Sequence, residues 1–203
     1  MLNFANPVNP GGGVRRGARA QEEDLCRKSS LLLSLESTEA AKYYAYNRSL
    51  NTFMGSDAVM ITPSVEIIRD ENGSLMDETY LVAVLTCAAP MITRGMEGLT
   101  NDQYREMLFS HIKGILSCAA YYGYHTLVLG AWGCGAFGND AALMSDLFYL
   151  ALKELQNTDA VKGNLFRRIE FAVFDKSHSQ YNYKQFARNF SSDLSRNFSS
   201  DLQ

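Results

Sequence analysis

Two glycine-rich segments limit the fold of this chain more than any other feature. The first is "NPGGGVRRGARAQEED", residues 9–24, and the second is "GAWGCGAFGND", residues 130–140. Each stands between an apolar, strand-like run and a helix-like segment. Glycine adopts positive φ without a Cβ penalty and lets backbone N–H groups turn toward an anion. The start of the following helix adds partial positive charge. In open α/β sheets ligands bind at this position, outside the carboxyl ends of strands. Two such loops suit a diphosphate.

The flanking pattern agrees with that placement. "MLNFA" predicts a short buried strand, and Pro7, Pro10 and four glycines make residues 6–20 a loop. A helix is expected over 21–35, with acids in its first turn. A second helix is expected over 37–50, capped by Ser37 or Thr38. Strands are predicted at 58–70 and 79–89, with a turn at Glu71–Gly73. A long amphipathic helix covers 101–123. Then come a strand at 125–131, a helix at 140–156, a strand at 166–175 and a last helix at 180–194. Strands and helices that alternate, with continuously apolar strands, specify an α/β class. The heptapeptide "RNFSSDL" occurs at 188–194 and again at 196–202. It places Phe190, Leu194, Phe198 and Leu202 four residues apart, which extends the last helix.

Charge and cysteine usage exclude several classes. The 203 residues suit one domain with a sizeable core. A net charge of -3 argues against bulk nucleic-acid binding, so an anionic ligand needs a local site. Cys26, Cys87, Cys118 and Cys134 form no CxxC pair, and no signal peptide precedes them. Reduced thiols and a cytoplasmic location are expected. The sequons at Asn47, Asn72, Asn189 and Asn197 then count as chance. No apolar run approaches the roughly 20 residues that span a bilayer. His111, His125 and His178 lack metal-ligand spacing, so no metal site is expected.

Each motif has a competing explanation. Gly133-Cys-Gly135-Ala-Phe-Gly138 is formally GxGxxG, which would make Glu154 the ribose-binding acid of a dinucleotide site. That reading leaves the first loop without a role. Gly12 to Gly17 has Walker A spacing, but Ala18 stands where lysine is required. Glu22 and Glu23 suit a helix start by charge alone. Beside a ligand loop they also suit glycoside chemistry, which needs an acid for the leaving oxygen and a base for water. Trp132 fits either core packing or a ligand wall, whereas Tyr181 and Tyr183 fit core packing better than an adenine site. Arg15, Arg16 and Arg19 fit a solvated loop face or phosphate steering equally.

The residues also carry a family resemblance. "NFANPVNPGGGVRRGARAQEEDLCR" resembles the signature of bacterial-type poly(ADP-ribose) glycohydrolases, in which GGG is followed after six to eight residues by QEE. Here seven residues separate Gly13 from Gln21. "LVLGAWGCGAFGND" resembles the family's second loop, and "YYAYN", "TPSVEIIRD" and "VLTCAAP" lie between in the family's order. The resemblance covers roughly residues 2–186. It implies an α/β, macrodomain-like mixed sheet sandwiched between helices over 1–187, and the tandem repeat makes 188–203 a C-terminal helical extension. It implies hydrolysis of ribose–ribose O-glycosidic bonds of poly(ADP-ribose), with release of ADP-ribose and no cofactor. Glu23 would be the catalytic acid/base and Glu22 would position ribose hydroxyls. Asn6 would bind the terminal ribose. Gln21 belongs to the same signature and counts among the substrate-binding residues. Gly12 and Gly13 would face the diphosphate from one side, and Gly133, Cys134, Gly135 and Ala136 from the other. Phe137 would pack on the ribose. Family members carry a longer segment ahead of NFAN, with sheet strands and adenine contacts, so no adenine residue is assigned. An uncovered sheet edge would leave room for a dimer. The rival activities are removal of single ADP-ribose units from protein, and binding of ADP-ribose without turnover.

Overall fold

A computed structural model of the chain describes residues 1–156 and 165–191. The chain divides into two compact units, Met1–Pro90 and Met91–Gln203.

In the first unit, β1 (Leu2–Phe4), β2 (Met60–Arg69) and β3 (Leu75–Cys87) form a mixed sheet in the order β1-β3-β2. β1 runs parallel to β3, with Asn3 opposite Thr86, and β2 runs antiparallel. Pro63 has no N–H to give the ladder, and the β2–β3 register shifts between Thr62 and Val65. The hairpin turn is tied by Asp70, whose Oδ1 accepts from the N–H groups of Asn72 and Ser74, both at 2.9 Å. Pairing therefore continues to the turn, and β3 begins at Leu75, four residues before the predicted start.

The helix expected over 21–35 is two helices, α1 (Gln21–Lys28) and α2 (Leu31–Leu35). The break falls on two serines, of which Ser30 bonds to the β2 edge. Ser30 N donates to Glu66 O, and Glu66 N donates to Ser30 Oγ, each at 2.9 Å. Ser29 Oγ donates back to Leu25 O at 2.7 Å and accepts from Leu31 N. Local hydroxyl bonds of this kind compete with the helical ladder. Leu25, Cys26, Leu31, Leu35, Val65, Ile67 and Val84 form the core between these helices and the sheet. α3 (Ala41–Ser49) starts later than predicted. Ser37 Oγ accepts from Ala40 N at 3.2 Å, so it closes the turn ahead of the helix and does not cap the helix itself.

In the second unit, α4 (Asn101–Tyr121), β4 (Thr126–Leu129), α5 (Ala141–Gln156), β5 (Arg168–Phe171) and α6 (Tyr181–Phe190) follow the predicted order. β4 and β5 pair in parallel. Thr100 and Gln103 form a reciprocal capping box at the start of α4. Phe148, Phe171, Phe186 and Phe190 stack into one aromatic cluster that holds α6 on α5 and β5. α6 ends at Phe190, so Leu194, Phe198 and Leu202 of the repeat lie outside the described residues. No described helix is long and apolar enough to cross a membrane.

Candidate active site

The first unit builds a carboxylate cradle from one loop and one helix start. β1 ends at Phe4 and the chain turns at Asn6, whose Oδ1 accepts from Val8 N at 3.0 Å and Asn9 N at 2.8 Å. Gly11 and Gly12 follow at φ +65° and +58°, conformations that favour glycine. A Cβ on Gly12 would overlap Glu23 Oε1 and lie 2.9 Å from Glu22 Oε2. A Cβ on Gly13 would lie 2.8 Å from Ala18 Cβ. The glycine run is thus needed to let the loop close over the two acids. Arg27 clamps the loop from below by donating to the carbonyls of Val14 and Ala18.

Glu22 and Glu23 are both buried, at 2% and 7% exposure, although they are adjacent acids at a helix start. Glu22 Oε2 accepts from Asn6 N at 2.8 Å, and Oε1 accepts from Asn3 Nδ2 at 3.3 Å. Burial pushes the Glu22 carboxyl up to about 7, and the neighbouring Glu23 charge adds to this. The N–H groups of Asn6 and Gly11 and the Asn3 amide oppose the rise. Glu23 Oε1 accepts from Gly13 N at 2.8 Å, and Oε2 accepts from Ala20 N at 2.9 Å. The second bond is the N-terminal half of a capping box. Glu23 therefore does serve the helix end, while it also holds the glycine loop. Gln21 brackets β1, with Oε1 accepting from Phe4 N and Nε2 donating to Leu2 O, both at 2.9 Å. Both ends of its amide therefore hold the strand, and one N–H remains for a further partner.

The second unit carries its own loop, between β4 and α5. Asn139 anchors it: N and Nδ2 donate to Gly133 O at 3.1 and 2.9 Å, and Oδ1 accepts from the Tyr104 hydroxyl. Gly133 has φ +73°. Gly135 and Ala136 are exposed and Phe137 is half-buried. A Cβ on Gly135 would meet no described atom within 4 Å. Cys134 Sγ lies 3.6 Å from Trp132 O, and burial pushes its thiol up to about 12. It is held as an unreactive thiol. Asp140 Oδ1 caps α5 by accepting from Leu143 N at 2.9 Å. Glu154 pairs with Lys113 at 3.1 Å from within α5, not from the end of a neighbouring strand, which removes the dinucleotide reading of GxGxxG.

Comparison with known proteins points the same way. The family described as "Microbial-type PARG, catalytic domain" matches residues 1–70. No curated protein matches the chain. The poly(ADP-ribose) glycohydrolase from Thermomonospora curvata is 36% identical with a TM-score of 0.84, over 93% of this chain and 67% of that one. The same enzyme bound to the inhibitor ADP-HPD is also 36% identical, at TM-score 0.83 and over 93% and 69% of the two chains. The Deinococcus radiodurans enzyme in complex with ADP-ribose is 35% identical at TM-score 0.84, covering 95% of this chain and 75% of its own. The chain belongs to the bacterial poly(ADP-ribose) glycohydrolase family. Its fold is accordingly mixed α/β and macrodomain-like.

Of the residues that the sequence assigns to this glycohydrolase site, the structure gathers Asn6, Gly12, Gly13, Gln21, Glu22 and Glu23 into one cluster in the first unit. Gly133, Cys134, Gly135, Ala136 and Phe137 form one continuous loop in the second. Trp132 is fully buried, which decides for core packing. Tyr181 and Tyr183 are 43% and 53% exposed, so neither packs in the core. The Tyr181 hydroxyl donates to Asp140 Oδ2 at 2.9 Å. Arg15 forms a two-toothed ion pair with Glu36, and Arg16 and Arg19 are exposed. Asn3, Arg27, Thr86, Tyr104 and Asn139 were missed. The first Asn of NFAN was the one available signal, and its partner Thr86 lies 83 residues away. Among the described residues no group of His, Cys, Asp and Glu side chains is placed to hold a metal ion.

Proposed function

We propose that this glycohydrolase cleaves the ribose–ribose O-glycosidic bonds of poly(ADP-ribose) and releases ADP-ribose, with residues 1–187 as the catalytic domain and the cytoplasm as its location. The observation that carries the reading is the buried acid pair beneath a glycine loop, in a chain of this family. Glu22 retains a proton near neutrality, and Glu23 stands beside it. Hydrolysis of a glycosidic bond needs a proton for the departing oxygen and a base for the incoming water.

In this reading Glu23 is the acid/base. Its Oε1 leaves Gly13 N for the substrate when the ribose enters. Glu22 orients ribose hydroxyls and keeps a proton within reach of its neighbour. Asn6 contacts the terminal ribose through its NH2, because its Oδ1 already forms the turn. Gly12 and Gly13 supply backbone to the diphosphate. Gly133, Cys134, Gly135 and Ala136 are proposed diphosphate contacts on their own loop, and Phe137 is proposed to pack on ribose. No cofactor takes part in the reading, since water is the second substrate.

Incubation with poly(ADP-ribose) and with mono-ADP-ribosylated protein, followed by assay of free ADP-ribose, tests it. Release from the polymer is expected. Release from the mono-modified protein alone would favour the single-unit hydrolase. Binding of ADP-ribose without any release would leave a binding module.

A further inference from the structure

The carboxamide of Asn3 lies at the floor of the acid cradle and is completely buried. Its Nδ2 donates to Glu22 Oε1 at 3.3 Å and to Thr86 Oγ1 at 3.4 Å. Thr86 is also completely buried and stands directly opposite Asn3 across the β1–β3 ladder. Asn3 Oδ1 has no hydrogen-bond partner among the described residues. A buried, unpaired carbonyl is a net cost that an apolar side chain of the same shape would avoid. The position therefore makes poor sense as packing alone. It makes sense if the donor half of the amide is what the chain needs.

From this geometry we infer that Asn3 is a positioning residue of the glycosidic hydrolysis: braced by Thr86, it fixes the orientation and ionisation of Glu22 through a single N–H donor. The inference rests on the function proposed above. Asn3 touches Glu22 and not the reacting atoms, so its effect on turnover passes through that carboxyl. A donor aimed at a carboxylate favours the charged form. Here it opposes burial, which otherwise drives Glu22 toward the neutral acid. The titratable groups that face Glu22 are Glu23 and Cys26 from α1 and Tyr43 and Tyr44 from α3. None is a cation, so no facing charge can replace the Asn3 donor. The Asn6 and Gly11 backbone groups serve the same carboxyl but belong to the loop. Asn3 is the side-chain donor and the one that mutation can remove.

The test uses Asn3→Leu, Asn3→Asp and Thr86→Val, each checked for folding by circular dichroism. The Glu22 carboxyl is followed by carbon-13 NMR in protein labelled at glutamate, with Glu22→Gln to assign the signal. In Asn3→Leu the Glu22 titration should move upward by about one pH unit or more, and kcat near neutrality should fall about tenfold with KM little changed. Asn3→Asp should supply the donor only while its own carboxyl is protonated, whereas Asn3→Leu should recover turnover only as pH is raised past its shifted Glu22 titration. Thr86→Val should move Glu22 in the same direction by less, and it carries the test if Asn3→Leu does not fold. An unmoved Glu22 titration in a folded variant overturns the inference. A wild-type protein that leaves poly(ADP-ribose) intact would instead overturn the proposed function, while the NMR titration would still decide the role of Asn3.

Discussion

Glu23 has two tasks in this structure, and a single substitution separates them. Glu23→Gln keeps size and shape but removes the transferable proton. It also turns an NH2 toward one of the two backbone N–H groups that the carboxylate now serves. We expect a folded protein, weakened by about 1 kcal/mol, that still binds ADP-ribose. Its kcat should fall on the order of 10²–10⁴-fold. A drop in melting temperature with kcat intact would make the acid a helix cap and nothing more. Gly12 gives a second test at this scale. Gly12→Ala meets both carboxylates, whereas Gly17→Ala has a similar positive φ of +84° and open space around its Cβ. Each should cost about 1–3 kcal/mol of stability through strain. Gly12→Ala alone should also lower kcat, by at least about tenfold. Equal kinetic effects in the two variants would show that the crowding at Gly12 has no bearing on the chemistry.

Among the elements, the second glycine loop is where binding and folding can be told apart. Asn139 and Tyr104 hold the base of the loop, and Gly135 stands exposed at its crest with nothing near its missing Cβ. A valine there has room in the protein by itself. Gly135→Val should therefore keep its melting temperature while ADP-ribose affinity falls at least about tenfold, or about 1.4 kcal/mol. Isothermal calorimetry on the folded variant measures this, and an unchanged Kd would remove the loop from the site. The α1–α2 break teaches the opposite lesson. The stretch 21–35 has helical composition throughout, yet Ser30 bonds to β2 while the Ser29 hydroxyl turns back onto Leu25 O, and the two divide it. The division ends α1 after eight residues, with the acids in its first turn and Arg27 in its last.

For the whole molecule, Glu22 sets a conflict between stability and function. Its folded carboxyl titrates near 7, against 4.5 ordinarily. Between those values the folded state binds a proton that the unfolded state has lost, so stability falls as pH rises from about 4.5 to 7. Above 7 the full penalty is present, about 3 kcal/mol at most. Glu22→Gln removes it but sacrifices one acceptor, worth about 1 kcal/mol. The variant should melt about 4–8 °C higher than wild type at pH 8. It should show no such gain at pH 4, and it should turn over poorly at both. Thermal melts across that range check the sign. An equal change at both pH values would mean that the carboxyl is not held neutral by burial. A protein that gains stability by losing a functional acid is the expected pattern at an active site.

What the sequence determined by itself is what depends on near neighbours. The order of strands and helices, the two glycine loops and the acid pair between loop and helix are all local patterns. They could be read because glycine runs, apolar periodicity and first-turn acids act within a few residues. The tertiary structure decided what depends on burial and on partners far along the chain. Whether Glu22 keeps a proton follows from burial together with donors from Asn3, Asn6 and Gly11. The bracing of Asn3 by Thr86, the closing of the loop base by Tyr104 and Asn139, and the loss of a single helix over 21–35 all join distant segments. Gln21 shows the limit most simply. Its place in the signature marks it as important, but only the fold reveals that both ends of its amide are bonded to β1. A side chain's polarity is written in the sequence, whereas the groups that satisfy it are chosen by the packing around it.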